Sequence, residues 1–565
     1  MDIPKTQTSR LAVLLPAVLC AGLTLCCILS RPPLPPDETR YLTVAWEMKE
    51  RGDFLVPHLN GDTYAHKPPL LFWLMNLVWL VTGKSLLAAR WIAPVAGILT
   101  VILTARLAKD LWPDRSADRK APWILASTML WMFFSPVTMF DTLLSLFTVS
   151  ALMGMRRIAR GDYVSGLVIA GCSIGLGILS KGPVILVHVL PTALLFPFWS
   201  RREGTRILPG LISIAGAIGI GAVIALSWAL PAARYGGEAF GNELLFGQTA
   251  GRVLNSFAHR QPFWWYLPWL PLCAMPWTLT AGFRRGVVAL RVSVDDGLRF
   301  VMCWGLGSLL ILSFVSGKQI YYLMPAVPAW ALAMSRWLDE HPMESLDVRV
   351  IGLSTTLLGT LPLAVHHIAP MSGTMVAGLI PDLWCLPLIV CGGTVFLLAR
   401  LSSDGKVAGI AVAAISFIAI FVVSVQRTVW GGFDMQPLGE ILRDRPEEIA
   451  WFGNYHGQLN IPSRRSRVEE LITPEQLDEW LQKHTEAAVV IRAATLTGES
   501  RHQILKWTDS TGAVSSDHLT ETLELASKDC DLPGEQRSPT CIHAQWIRRG
   551  LPVDLYLVCK FSQQK

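Results

Sequence analysis

Apolar runs long enough to cross a bilayer recur from Leu11 to about residue 427, and they restrict the chain to a polytopic membrane protein. A helix rises 1.5 Å per residue, so a span needs roughly 20 apolar residues, and the first run, Leu11–Ser30, meets that length. Lys5 and Arg10 precede it. The run lacks a small-x-small exit and has Leu25 before Cys26, which argues against a cleaved leader or a lipoprotein site and for an uncleaved signal anchor. With 52% hydrophobic residues, 16% charged residues and a mean hydropathy of +0.41, the composition does not suit a water-soluble protein. The net charge of +6 carries little information, because the location of Lys and Arg matters more than their sum. Nothing in the chain resembles a nucleic-acid-binding signature. Eight of the eleven cysteines fall in apolar segments without metal-ligand spacing, leaving Cys530, Cys541 and Cys559 in a polar tail.

The stretch Leu70–Val81 is too short to span and carries Trp73, Asn76 and Trp79 at helical spacing, so it reads as a helix lying in the membrane interface with its aromatics at headgroup level. If it does not cross, further spans are expected at about 87–108, 121–139, 141–156, 163–180, 182–199, 207–230, 263–283, 298–316, 320–336, 349–368, 377–400 and 407–427. The connections that hold Lys109/Arg115/Arg119/Lys120, Arg156/Arg157/Arg160, Arg201/Arg202/Arg206, Arg284/Arg285/Arg291 and Arg400/Lys406 then all lie on one side. That side is the cytoplasm by the positive-inside rule. The expectation is about 13 transmembrane helices plus interfacial helices, an inside N-terminus, a membrane domain over residues 1–428 with a first outer loop at 31–86, and an outer C-terminal domain over 429–565.

This arrangement gathers a second set of polar residues on the outer face: the segment 31–84, Asp141 at the head of a span, Ser180-Lys181-Gly182-Pro183, the loop 232–262, and Ser316 to Tyr322. Carboxylates, cations and aromatics from distant parts of the chain, gathered at one membrane face, point to a site for an anionic, lipid-linked substrate.

The segments Asp37-Glu38-Thr39-Arg40-Tyr41, Val56-Pro57-His58-Leu59-Asn60-Gly61, Tyr64-Ala65-His66-Lys67-Pro68-Pro69-Leu70, Leu179-Ser180-Lys181-Gly182-Pro183 and Pro262-Phe263-Trp264-Trp265-Tyr266-Leu267-Pro268 resemble the bacterial aminoarabinose-to-lipid A transferases. These are GT-C glycosyltransferases of the protein mannosyltransferase superfamily. Lys318 to Pro325 is similar too, and the likeness covers about the first 340 residues in order. The resemblance implies an all-α polytopic GT-C fold in the bacterial inner membrane. It also implies inverting transfer of a sugar, with 4-amino-4-deoxy-L-arabinose favoured, from an undecaprenyl-phosphate carrier to lipid A phosphate at the periplasmic face. Two other outcomes stay open: a hexose passed to a periplasmic glycan or protein, and a lipid-linked sugar flippase, which would share the donor but need no acidic pair. Membrane lipids are the remaining partners.

The donor in such a reaction leaves as a lipid monophosphate, so cations must meet the developing charge; Lys67, Arg40, Arg252, Arg260 and Lys318 are the candidates. Lys67 comes first because it opens the interfacial helix. Several of these cations equally suit anionic headgroups. Asp37 matches the family's first acidic position, which orients or deprotonates the acceptor; it also suits the cap of a helix running to Arg51. Asp141 is expected to face the site and support Asp37. Glu38, Tyr64, His66, His259, Tyr321 and Tyr322 complete the candidate substrate contacts. The family usually has Glu where this chain has His66, and a divalent metal held by His66 and His259 is one reading of that change. A hydrogen-bonding His66 is the other, and no other cofactor is implied. In the tail, Thr473-Pro474-Glu475-Gln476 reads as a capping box, the runs 487–491 and 554–558 read as strands of a small α/β domain, and Cys530 with Cys541 is a candidate disulfide.

Overall fold

The structure, a computed structural model, describes residues 5–200, 206–251, 260–290, 294–368, 382–426, 429–443, 448–484, 486–492, 539–544 and 556–562. The chain divides into two compact units. The first holds Met1–Ser30, Val44–His58 and Thr63–Val425; the second holds Arg31–Thr43, Leu59–Asp62 and Gln426–Lys565. Composition alone separates the polar tail at residue 429, but it gives no sign that two pieces of the first loop belong with that tail.

The helices up to residue 235 are α1 (Lys5–Ser30), α2 (Asp37–Arg51), α3 (Leu70–Thr82), α4 (Leu86–Leu111), α5 (Ala117–Ser127), α6 (Met129–Phe134), α7 (Phe140–Ala159), α8 (Tyr163–Lys181), α9 (Val184–Leu194), α10 (Phe196–Ser200) and α11 (Ile207–Tyr235). Nine helical segments among the described residues are long and apolar enough to cross a membrane. They lie in α1, α4, α7, α8 and α11, and at Asp296–Phe314, Ser345–Ala364, Leu383–Arg400 and Ser403–Ser424. Each coincides with an expected span. The other four expected spans are broken, and most of the breaks have a proline cause, because proline removes a backbone donor and clashes with the preceding turn. The run 263–283, with Pro268, Pro271 and Pro276, becomes the short helices Leu270–Cys273 and Trp277–Leu279 followed by Ala281–Ala289. The run 320–336 starts as a 3-10 helix, Ile320–Ala326, before Val327–Glu340. The run 182–199 divides into α9 and α10, and 121–139 divides at Thr128, whose extended backbone separates α5 from α6.

Helix α3 has 13 residues, about 20 Å of rise, as its short apolar run predicts. Its polar face differs from expectation. Asn76 and Trp79 are buried, the first donating to the Ala45 carbonyl at 2.9 Å and the second to the Ser85 carbonyl at 2.8 Å, while Leu77, Leu80 and Val81 form the exposed side. These indole and amide donors are used inside the protein.

The long helices pack α4 on α7, α7 on α8 and α8 on α11. Close approach of α7 and α8 depends on two glycines facing each other: a Cβ at Gly166 would lie 2.6 Å from the Gly154 carbonyl oxygen, and one at Gly154 would lie 2.6 Å from the Ala170 nitrogen. Because the obstacles are backbone, Gly166→Val is expected to cost about 1–3 kcal/mol through overpacking. The check is the unfolding temperature in detergent, with Gly219→Ala on α11, where no atom lies within 4 Å of the added carbon, as the unaffected control.

At one end of this bundle the basic connections meet carboxylates. Lys120 pairs with Asp339, Arg119 with Asp404 at 3.4 Å, Arg156 with Asp110 at 3.2 Å, and Arg160 also with Asp110. Arg156 lies near the end of α7 and Asp141 near its start, so the basic end and the Asp141 end are separated by roughly 20 Å of helix.

After the two-residue strands β1 (His58–Leu59) and β2 (Asp62–Thr63), the strands β3 (Glu448–Phe452), β4 (Glu469–Leu471), β5 (Glu486–Arg492), β6 (Pro539–Ala544) and β7 (Tyr556–Ser562) of the second unit make one sheet in the order β4-β3-β5-β7-β6. The first three strands are parallel, and β7 runs antiparallel to both β5 and β6. Leu438, Leu442, Ile449, Trp451, Leu459 and Val490 are among its core residues. The helix Pro474–Lys483 opens with the capping box read from the sequence, Thr473 and Gln476 bonding reciprocally. Cys541 lies directly opposite Cys559 in the β6–β7 register, while Cys530 falls outside the described residues.

Candidate active site

Two helix ends build the centre of the first unit's polar site. Helix α8 stops at Lys181 because Gly182 adopts φ +75° and Pro183 follows it, a combination that ends helices. Helix α7 starts with Phe140, placing Asp141 in its first turn. Lys181 Nζ lies 2.5 Å from Asp141 Oδ1, and the side chains are only 9% and 4% exposed. Each charge sits at the helix terminus whose dipole favours it. The ammonium also lies 5.3 Å from the Tyr321 ring centre and 4.8 Å from that of Tyr322, within cation–π range of both. Tyr321 and Tyr322 pack edge to face at 5.1 Å, and Phe134 of α6 supports Tyr321 at 5.7 Å.

The His-Lys-Pro-Pro segment is tied to the same place through aromatics. The His66 and Tyr64 rings are 5.2 Å apart, Tyr64 leans on Phe72 of α3 at 6.5 Å, and Phe72 meets Phe140 edge to face at 5.5 Å. Phe140 is the residue before Asp141. Tyr64 is buried, His66 is exposed, and Lys67 is partly exposed three residues before α3. The structure thus joins Tyr64, His66, Asp141, Tyr321 and Tyr322 in one contact chain that also includes Lys181. Lys181 is the member that the sequence reading left out of its site residues: its partner is 40 residues away, and the only local sign was a lysine set before Gly-Pro at the end of an apolar helix.

Lys318 is buried, and burial holds its pKa below the ordinary lysine value. Its ammonium donates to the carbonyls of Gln261 at 3.0 Å and Val315 at 2.5 Å. Arg260 bridges Gly317, and Tyr266 Oη donates to the Gln319 carbonyl at 3.3 Å, so this strip clasps 260–266 to 315–319. Lys318 thus directs two of its three donors to backbone carbonyls, and the exposed Arg260 is a second cation there. Arg252 and His259 lie outside the described residues. Among the described residues no three His, Cys, Asp or Glu side chains gather for a metal.

The second unit holds the other acidic strip. Helix α2 begins at Asp37 itself, one residue before the start that a cap at Asp37 implies, and Asp37 Oδ1 accepts from Tyr41 Oη at 2.9 Å. Glu38 is 1% exposed and pairs with buried Arg31, also accepting from the Leu34 amide at 3.1 Å. Its partners are thus the chain entering α2, and it anchors that entry. Arg40 and Thr39 reach the loop after β3: Thr39 Oγ1 donates to the His456 carbonyl at 3.0 Å, and Arg40 Nη2 lies 3.4 Å from His456 Nδ1. Asn60, in a tight Asn-Gly turn with φ of 56° and 93°, accepts from the Val468 amide at 2.8 Å and donates to its carbonyl at 2.7 Å.

Residues 66–228 match the family of dolichyl-phosphate-mannose-protein mannosyltransferases. Among curated proteins, the undecaprenyl phosphate-alpha-4-amino-4-deoxy-L-arabinose arabinosyl transferase of Pectobacterium atrosepticum is 28% identical over 371 residues, covering 61% of this chain and 65% of that protein. The enzyme of the same name from Pectobacterium carotovorum is 30% identical over 316 residues, covering 54% and 55%. The match therefore spans less than two thirds of the length of these relatives. Among solved structures, ArnT from Cupriavidus metallidurans bound to undecaprenyl phosphate superposes with a TM-score of 0.71 at 17% identity, over 89% of this chain and 96% of that one. Its apo form gives 0.69 at 14% identity, over 96% and 97%. With nine helices long and apolar enough to cross a membrane among its described residues, the chain is a multi-pass membrane protein that has the fold of that solved transferase and is similar over part of its length to the mannosyltransferase family and to the aminoarabinose transferases.

Proposed function

We propose that this protein moves 4-amino-4-deoxy-L-arabinose from undecaprenyl phosphate to a phosphate of lipid A at the periplasmic face of the bacterial inner membrane, with inversion at the sugar carbon. The observation that carries the reading is the buried Asp141–Lys181 pair beneath Tyr321 and Tyr322, both charged residues falling within the segment 66–228 that is similar to the mannosyltransferases. An amino sugar is cationic at neutral pH, and the Asp141 carboxylate with the faces of Tyr321 and Tyr322 offers groups that suit it. In this scheme the C–O bond to the carrier phosphate breaks as the acceptor oxygen bonds to the same carbon, and the carrier leaves as a lipid monophosphate. Lys67, Arg40, Arg252 and Arg260 are the cations assigned to that charge. A lipid A phosphate is already ionised at neutral pH, so no general base is required; Asp37 and Asp141 then position the amino sugar and the acceptor. The basic end of the bundle supports a cytoplasmic placement of that face and of the N-terminus, with the second unit periplasmic.

The description of the matching family favours one second reading, a hexose passed to a protein. Lipid A mass spectrometry separates the two. Cells with the gene are expected to carry a pentosamine-sized addition on lipid A that deletion removes. Identical spectra in both strains would refute the lipid A assignment and direct the search to glycosylated periplasmic proteins.

A further inference from the structure

Arg40 and Asp37 share the first turn of α2, and the side chain that meets Arg40 comes from a distant part of the second unit. We infer that His456 is a positioning residue for the transfer reaction: by accepting a hydrogen bond from Arg40 it fixes the turn of α2 that carries Asp37. The inference rests on the glycosyl-transfer reading above and extends it to a residue outside the helical bundle.

Three bonds join the start of α2 to two successive residues after β3. Arg40 Nη2 approaches His456 Nδ1 at 3.4 Å, Thr39 Oγ1 donates to the His456 carbonyl at 3.0 Å, and Thr43 Oγ1 donates to the Gly457 carbonyl at 2.9 Å. Gly457 adopts φ +76°, and a Cβ there would lie 2.8 Å from Thr43 Oγ1, so the approach needs glycine. The receiving loop is itself held. The Tyr455 amide donates to Glu470 at 2.9 Å, the His456 amide donates to Gln458 at 2.6 Å, and Tyr455 Oη donates to Asn460 at 2.7 Å. A loop anchored on both sides of His456 can act as a fixed point for a side chain reaching it.

The chemistry of the contact sets the state of the imidazole. Guanidinium has donors only, so Nδ1 must be the acceptor and the proton of neutral imidazole sits on Nε2. Burial, together with the Arg40 charge, favours that neutral form and lowers the His456 pKa, against the opposite pull of the Glu470 and Asp37 carboxylates and of a hydrogen bond to the Tyr455 backbone carbonyl. As pH falls through the lowered pKa, His456 gains a proton, loses its acceptor and sets a second positive charge against Arg40. The contact is therefore intact at neutral pH and lost on the acid side.

The test uses the full-length protein in detergent with an undecaprenyl-phosphate aminoarabinose donor and a lipid A acceptor. The wild type is measured first; absence of transfer would overturn the functional reading, and this inference with it. With transfer established, His456→Ala is expected to lower kcat by about tenfold or more, because a small misplacement of a reacting group is costly. His456→Asn sets its amide oxygen near the place of Nδ1 and is expected to retain kcat within about threefold at neutral pH, without the loss that His456 protonation causes at acid pH. Unfolding temperatures of both variants serve as the folding control. Retention of wild-type kcat by His456→Ala would overturn the inference, as would equal damage from His456→Asn and His456→Ala, since a general packing role predicts no rescue by the shorter acceptor.

Discussion

Lys181→Met is expected to lower transfer about 100-fold or more and to cost about 3–5 kcal/mol of stability, the penalty for leaving one partner of a buried ion pair without the other. The reason lies in how the two charges are housed. Asp141 and Lys181 are almost completely shielded from water, so each depends on its partner, and methionine fills the lysine volume while removing the ammonium. The Tyr321 and Tyr322 rings also lose the cation packed against them. Pairing Lys181→Met with Asp141→Asn removes both charges together, and the double variant is expected to regain most of the stability and none of the transfer. That split distinguishes a working pair from a structural brace. Transfer within about threefold of wild type in a folded Lys181→Met protein would show the pair to be scaffold alone.

Asp37→Asn is expected to lower transfer by about 100- to 1000-fold while changing stability by less than about 0.5 kcal/mol. Asn serves a helix start about as well as Asp, and its side-chain oxygen still accepts from Tyr41, so α2 keeps its beginning and its contact. What disappears is the negative charge. The measurement pairs transfer rate with unfolding temperature. Full activity in this variant would assign Asp37 to capping alone.

The helical frame was legible because it follows from length and apolar content. The segments now seen as α1, α4, α7, α8 and α11 could each be read from one continuous run, and the capping box at Thr473 was equally plain, since both partners lie within one turn. The breaks in 263–283 were written in its prolines, yet mean hydropathy conceals them. Asp141 at a helix start and Asp37 at another could be read locally. The partner of Asp141 could not. Lys181 belongs to Asp141 only because α7 and α8 run antiparallel with facing glycines, and no spacing rule carries that across 40 residues. His456 had no motif at all; its meaning arises from where α2 begins in three dimensions. Lys318, named as a candidate phosphate ligand because it is one of the cations on the outer face, also donates to two carbonyls, and the one at Gln261, 57 residues away, could not be read locally.

The bond between Thr39 and His456 spans 417 residues of sequence. A ribosome adding 5–20 residues per second needs roughly 20–80 s to make that interval. Throughout that time the nascent chain carries its acidic turn into the membrane without the loop that receives it. If the proposed reading holds, full activity is expected late in biosynthesis, and a product terminated before His456 is expected to transfer more slowly even when its helices insert correctly.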